Sequence, residues 1–172
     1  MSKSDILALV AIVLIISAFA YYAYQQYTFS RTGRVILVEY RASKAWRKGD
    51  AWYFQSQSFS AGHVVSHNIY AVFKISSKEA KLIRLSVEAQ DTNYIEIAAG
   101  KQGLCGYAYI TGGKHVVEVL FNETTVVKIT VDSRDAKIEE YSPWGYKGYT
   151  ITVFTSSNKE HVLIVKFLEI KP

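Results

Sequence analysis

The chain has 172 residues, 49% of them hydrophobic and 20% charged, with a formal net charge of +5 at pH 7. A chain of this size supports one ordinary core, and its apolar content excludes a disordered tail. A lone cysteine, Cys105, excludes an internal disulfide, and the mild basic excess permits acidic partners while giving no reason to expect nucleic acid.

From Ile6 to Tyr24 the chain reads "ILALVAIVLIISAFAYYAY", without a charge and with Ser17 as its only strongly polar side chain. As a helix rising 1.5 Å per residue it is about 28 Å long, enough for the hydrocarbon core of a bilayer. Phe19, Tyr21, Tyr22, Tyr24 and Tyr27 gather where the run ends, as amphipathic rings do at headgroup level. Residues 1–29 are therefore a hydrophobic transmembrane or stem helix, 30–34 a hinge around Arg31-Thr32-Gly33, and 35–172 an extracytoplasmic β domain.

Three fates are open to the helix. It is a retained single-pass anchor, which needs only its length and aromatic belt. It is a cleaved export signal, since Lys3, the apolar run and Ala18-Phe19-Ala20 supply a basic start, a hydrophobic region and a small-x-small site. Or it is a filament stem: Lys3-Ser4-Asp5-Ile6 resembles the class III signal of archaeal type IV pilins and archaellins, over roughly the first thirty residues. That resemblance implies a helix kept after processing and packed into a filament core, with a β-rich head facing outwards. Asn122-Glu123-Thr124 matches an N-glycosylation acceptor and agrees with export.

After Gly33 the period changes from continuous apolar to alternation by two. The runs "RVILVEY", "AWYFQSQSF", "IYAVFKI", "KLIRLSVEA", "YIEIAA", "CGYAYI", "HVVEVLF", "TVVKITV", "AKIEEY", "YTITVFT" and "HVLIVKFLEI" read as short strands separated by Gly, Asn, Asp and Ser clusters. No helical pattern intervenes, so the fold class is mainly β: an antiparallel sandwich of jelly-roll type. The alternation assigns Ile83, Leu85, Val87, Ile95, Ile97, Val117, Val119, Phe121, Val127, Ile129, Val131, Ile151, Val153, Val162 and Ile164 to the core.

Chemistry-bearing constellations are scarce. His63 and His67 lie about 13 Å apart along a strand, too far for one ion. Cys105 and His115 lack the tight Cys-His loop and second methionine of a copper site. The glycines of "GKQGLCG" lack the Lys-Ser/Thr pair and the helix of a phosphate loop. Asp132, Asp135, Glu139 and Glu140 lack EF-type spacing, and no serine sits in a nucleophile elbow. No catalytic residue, cofactor or metal is expected.

Two stretches point to binding instead. Arg41, Lys44, Arg47 and Lys48 surround Trp46, a basic patch with an aromatic in it. Trp144, Tyr146 and Tyr149 cluster about the turn "SPWGYKGY", where aromatics provide much contact area at little entropy cost. The expectation is a non-enzymatic, membrane-anchored interaction protein, its partners the bilayer, other protein subunits and, for the aromatic cluster, glycans. A pilin-like filament subunit and a glycan-binding or glycan-hydrolysing module are the alternatives.

Overall fold

The computed structural model describes residues 3–32, 35–75, 81–101, 104–121, 127–132, 137–141 and 149–171. Among the described residues one α-helix, α1 (Lys3–Thr32), precedes eleven strands. The helix runs three residues past Phe29, so Arg31 and Thr32 continue it, and thirty residues make it about 45 Å long. Ser17 does not break the apolar run, because its hydroxyl donates to the carbonyl of Val13 one turn back (2.8 Å).

The strands are β1 (Val35–Arg41), β2 (Lys44–Lys48), β3 (Ala51–Gln55), β4 (Gln57–Ala61), β5 (Val64–Ile75), β6 (Leu82–Lys101), β7 (Leu104–Phe121), β8 (Val127–Val131), β9 (Lys137–Tyr141), β10 (Tyr149–Ser157) and β11 (Val162–Lys171). All belong to one sheet, and every pairing is antiparallel. The mainly β fold with one apolar helix is thus as the sequence indicates. Two separate sheets with jelly-roll connections are not what the hydrogen bonds draw: a single sheet is folded on itself.

The folding line runs through the hairpin β6–β7. "KLIRLSVEA" and "YIEIAA" are not two strands but the halves of β6, and "CGYAYI" and "HVVEVLF" are the halves of β7. Their first-read boundaries, "QDTN" and "TGGK", resemble turns because they hold Asp, Asn and Gly. They face each other across a register shift between Ala89 and Tyr94, where both strands bend together and the ladder continues. Asp91 takes φ 56°. A Cβ on Gly112 would collide with the carbonyl oxygen of Thr92, so only glycine lets the chains approach here. The end of β10 clamps the bend: Thr92 donates its hydroxyl to Ser156 O (2.9 Å), and Ser157 donates to Asp91 O (2.5 Å).

Two wings result. In the first, β1 and β4 share one edge of β5, followed by β10, β6 (94–100), β7 (104–111) and β9. In the second, β2, β3, β11, β6 (82–89), β7 (113–120) and β8 pair in turn. The inner faces close on one core. Phe73 of the first wing meets Phe54 (6.1 Å, 75°) and Phe167 (5.2 Å, 68°) of the second edge-on, with Trp52 tilted against it at 6.2 Å. Each fully buried Phe contributes about 1.5–3 kcal/mol by removal from water, and here they also join the wings.

Of the fifteen residues assigned to the core, twelve are buried. Val131 is half-buried, and on β11 the parity is the reverse of the sequence reading: Leu163 and Val165 are fully buried, whereas Val162 is exposed and Ile164 half-buried. The run "VLIVKF" has apolar residues at both parities, so alternation does not choose its inner face. "AWYFQSQSF" also divides. At Ser56 the chain leaves the second wing as β3 and enters the first as β4, held by reciprocal bonds with His161: Ser56 N to His161 O (3.0 Å) and His161 N to Ser56 Oγ (3.0 Å).

Candidate functional site

Along α1, Ser4–Ala23 is long and apolar enough to cross a membrane, and none of it is buried in the fold. Phe19, Tyr21 and Tyr22 are exposed. Tyr24 and Tyr27 lie in the same helix, but their side chains fall outside what the structure describes. The β domain buries its apolar core without this helix, which leaves a surface of Leu, Ile, Val and Phe that water solvates poorly.

Lys44 to Lys48 of the basic patch form a strand, β2. Gly49 (φ 63°) and Asp50 form a two-residue hairpin that pairs β2 with β3, and Gly-Asp between apolar runs was the signal for it. Lys44, Trp46 and Lys48 share one face of β2. Trp46, 37% exposed, stacks on Tyr53 (5.4 Å, 14°), and the Lys44 ammonium lies 5.5 Å from the indole centroid. Arg47 points to the other face, its guanidinium over Trp52 (5.1 Å) and its Nε donating to Gly49 O (3.1 Å). Arg41 does not join them. It ends β1 on the first wing, opposite Tyr70, and about 20 Å along the strand from Val35.

β2 ends the sheet's pairing order, so its outer edge is unpaired by any described strand. Lysines and an arginine on such an edge discourage a further strand from adding. The patch is thus both a cation–aromatic surface and a guarded edge.

Trp144, Tyr146 and Asn122 lie outside the described residues. Tyr149 opens β10 and places its ring edge-on to Phe121 (4.9 Å, 85°), packed against the core. That contact gives Tyr149 a structural role.

Sequence reading missed a larger feature on the other face of the first wing. There, positions alternate with the core positions of β5, β10, β6 and β7, and carry Tyr70, Phe154, Glu96, Tyr94, Tyr107 and Tyr109. A cleft of about 530 Å³ opens where β1 and β4 abut on β5, lined by Glu39, Arg41, Gln57, Phe59, Asn68 and Phe154 among others. A second, of about 260 Å³, is lined by Tyr70, Glu96, Ala98, Tyr107, Thr152 and Phe154. Tyr70 and Phe154 border both, and the larger falls in the size range of small-molecule sites.

Ring contacts order this face: Tyr107 lies edge-on to Tyr109 (4.6 Å), and Tyr94 flanks both Tyr109 (6.3 Å) and Phe154 (6.4 Å). Burial, then hydrogen bonds to Tyr109 and Glu96, push the Tyr107 hydroxyl far above the usual tyrosine range. Burial and the charge of Glu96 raise Tyr94 as well. Both hydroxyls therefore stay protonated at neutral pH. Thr152 is 6% exposed and its Oγ1 has no hydrogen-bond partner among the described residues, as is true of the buried Oδ1 of Asn68. A polar atom buried this way ordinarily costs about 1–3 kcal/mol.

Five rings on polar-parity positions of neighbouring strands were the available signal, hidden because only pairing register brings them together. Among the described residues, no three His, Cys, Asp or Glu side chains gather to hold a metal. No family model matches the chain, nor does any curated protein or solved structure.

Proposed function

We propose that the chain is a non-enzymatic single-pass membrane protein in which α1 spans the bilayer and the β domain is an extracytoplasmic interaction module within a membrane-associated assembly. One observation carries this reading: the membrane-length stretch Ser4–Ala23 of the apolar helix is nowhere buried in the fold, beside a β domain whose core closes without it. The bilayer is the solvent that such a surface needs. Export agrees with the order of Lys3, apolar run and Ala18-Phe19-Ala20, and with the acceptor pattern at Asn122.

Binding, not hydrolysis, suits the β domain. Glu39 and Glu96 stand on strands three ladder spacings apart, about 14 Å, whereas paired carboxylates cleave a glycosidic bond from about 5–9.5 Å. Glu96 is moreover engaged with Tyr107. The Lys44–Trp46–Lys48 face suits an acidic protein neighbour. A filament subunit is the second reading, favoured by the unbroken continuation of α1 from Ala23 to Thr32.

Alkaline carbonate extraction and protease treatment of intact cells test the proposal. The expected result is a full-length chain that resists extraction and whose β domain is cut from outside. Release by carbonate, or complete protection from external protease, refutes it. Recovery of sheared polymers with an N-terminus at Asp5 selects the filament.

A further inference from the structure

We propose that the paired cleft on the first wing binds a neutral oligosaccharide, laid across the strands with its ring faces on Tyr70 and Phe154 and its hydroxyls toward Thr152, Asn68 and Glu39. This deepens the interaction reading above and rests on it for the domain's exposure outside the cytoplasm.

The chemistry of a sugar matches what lines the cleft. A pyranose presents C–H faces that pack on aromatic rings, and an equator of hydroxyls that both donate and accept. Tyr70 and Phe154 occupy adjacent strands at the junction of the two volumes, and Phe59, 63% exposed, lines the larger. From β1 to β7 the face spans four ladder spacings, about 19 Å, room for several rings. A peptide adding to an edge would use backbone groups; this cleft instead offers side chains in the middle of a paired sheet.

Orphaned polar atoms give the second argument. A buried hydroxyl without a partner calls for an explanation, and Thr152 Oγ1 belongs to a residue that lines the smaller cleft. Asn68 Oδ1 belongs to one that lines the larger. Both atoms are closed to solvent here, so a ligand hydroxyl supplies the missing bond to each once its side chain turns about its own bonds. Charge narrows the class further. Glu39 and Glu96 outnumber Arg41 along the cleft, although the whole chain is basic, so polyanionic glycans are disfavoured.

The test is calorimetric titration of the full chain in lipid nanodiscs with three neutral hexasaccharides (cellohexaose, chitohexaose, mannohexaose) and a heparin hexasaccharide. Saturable binding of at least one neutral ligand is expected, weakened about tenfold or more by Phe154→Ala. Thr152→Val keeps the side-chain shape and removes the unpartnered hydroxyl, so it leaves melting unchanged or raised while weakening binding severalfold. A merely structural Thr152 would leave affinity unmoved. No saturation by any neutral ligand, a preference for heparin, or affinity indifferent to both variants overturns the proposal. Any of those results leaves the anchored reading to its own extraction test, and carbonate release would fail that reading without altering the titration.

Discussion

Thr155 donates its hydroxyl hydrogen to Nε2 of His161 across 2.7 Å, while Nδ1 of the same ring donates to the carbonyl of Lys159 (3.0 Å). His161 is buried at the point where Ser56 carries the chain from one wing to the other. Because Nδ1 faces a carbonyl it carries the proton of the neutral ring, which leaves Nε2 to accept from Thr155; in a protonated ring that bond turns around, with Nε2 donating to the hydroxyl oxygen. Burial holds the His161 pKa below its usual value, with nearby His67 acting in the same direction and Lys159 O and Asp91 opposing.

The sign of the pH dependence follows. The unfolded histidine takes up its proton near pH 6.5, and the folded one does so only at lower pH. The stabilisation is therefore complete above about pH 6.5 and is lost as pH falls below it. Urea midpoints measured from pH 7.5 to pH 5 are expected to fall, and His161→Gln to flatten that slope; a slope unchanged in the variant assigns the titration elsewhere.

Gly112 is expected to tolerate no side chain. Gly112→Ala puts a methyl against the backbone of Thr92 and should cost about 1–3 kcal/mol, as overpacking does. Gly49→Ala meets no neighbour within 4 Å but keeps a positive φ, so its cost is the smaller, about 1 kcal/mol. Thermal melts of the two variants would rank them, and equal melting temperatures would contradict the shared bend.

The inner face of β11 can be read by paired charges. Leu163→Asp and Val119→Asp bury an unpaired carboxylate and should abolish folding, whereas Val162→Asp should fold. Far-UV circular dichroism and expression of soluble head would decide this, and the opposite ranking would restore the register inferred from sequence.

How much was legible follows from these cases. Alternation by two revealed strands and most core positions, because one face of each strand meets water or polar groups and the other does not. It was silent on β11, where both parities are apolar. It mistook the bends at Asp91 and Gly113 for turns, since the residues that allow a positive φ are the same in both. The basic residues of β2 were found and the strand under them was not. The cleft was invisible because Tyr70, Phe154 and Tyr107 are distant in sequence and meet only through register.

Basic residues on β2 carry a prediction of their own. Replacing Lys44, Arg47 and Lys48 together with Thr raises β propensity and removes the charges that guard the edge. Concentration-dependent self-association is expected in sedimentation, with the wild type unchanged over the same range. A monomeric triple variant would show that the edge needs no guard.

The long hairpin β6–β7 also dictates an order of assembly. Lys101 pairs with Leu104, and every later rung up to Leu82 with Leu120 zips outward from that point, so its loop-closure entropy is paid in small steps. β5 and β3, by contrast, join the sheet through β10 and β11, which are synthesised last. As the chain emerges in order, its first strands must wait for β10 and β11, while the hairpin forms alone and offers two ready edges. Truncations ending before Tyr149 would leave β5 with β1 and β4 but without the strand that joins it to β6, and the nascent head exposed to chaperones and proteases.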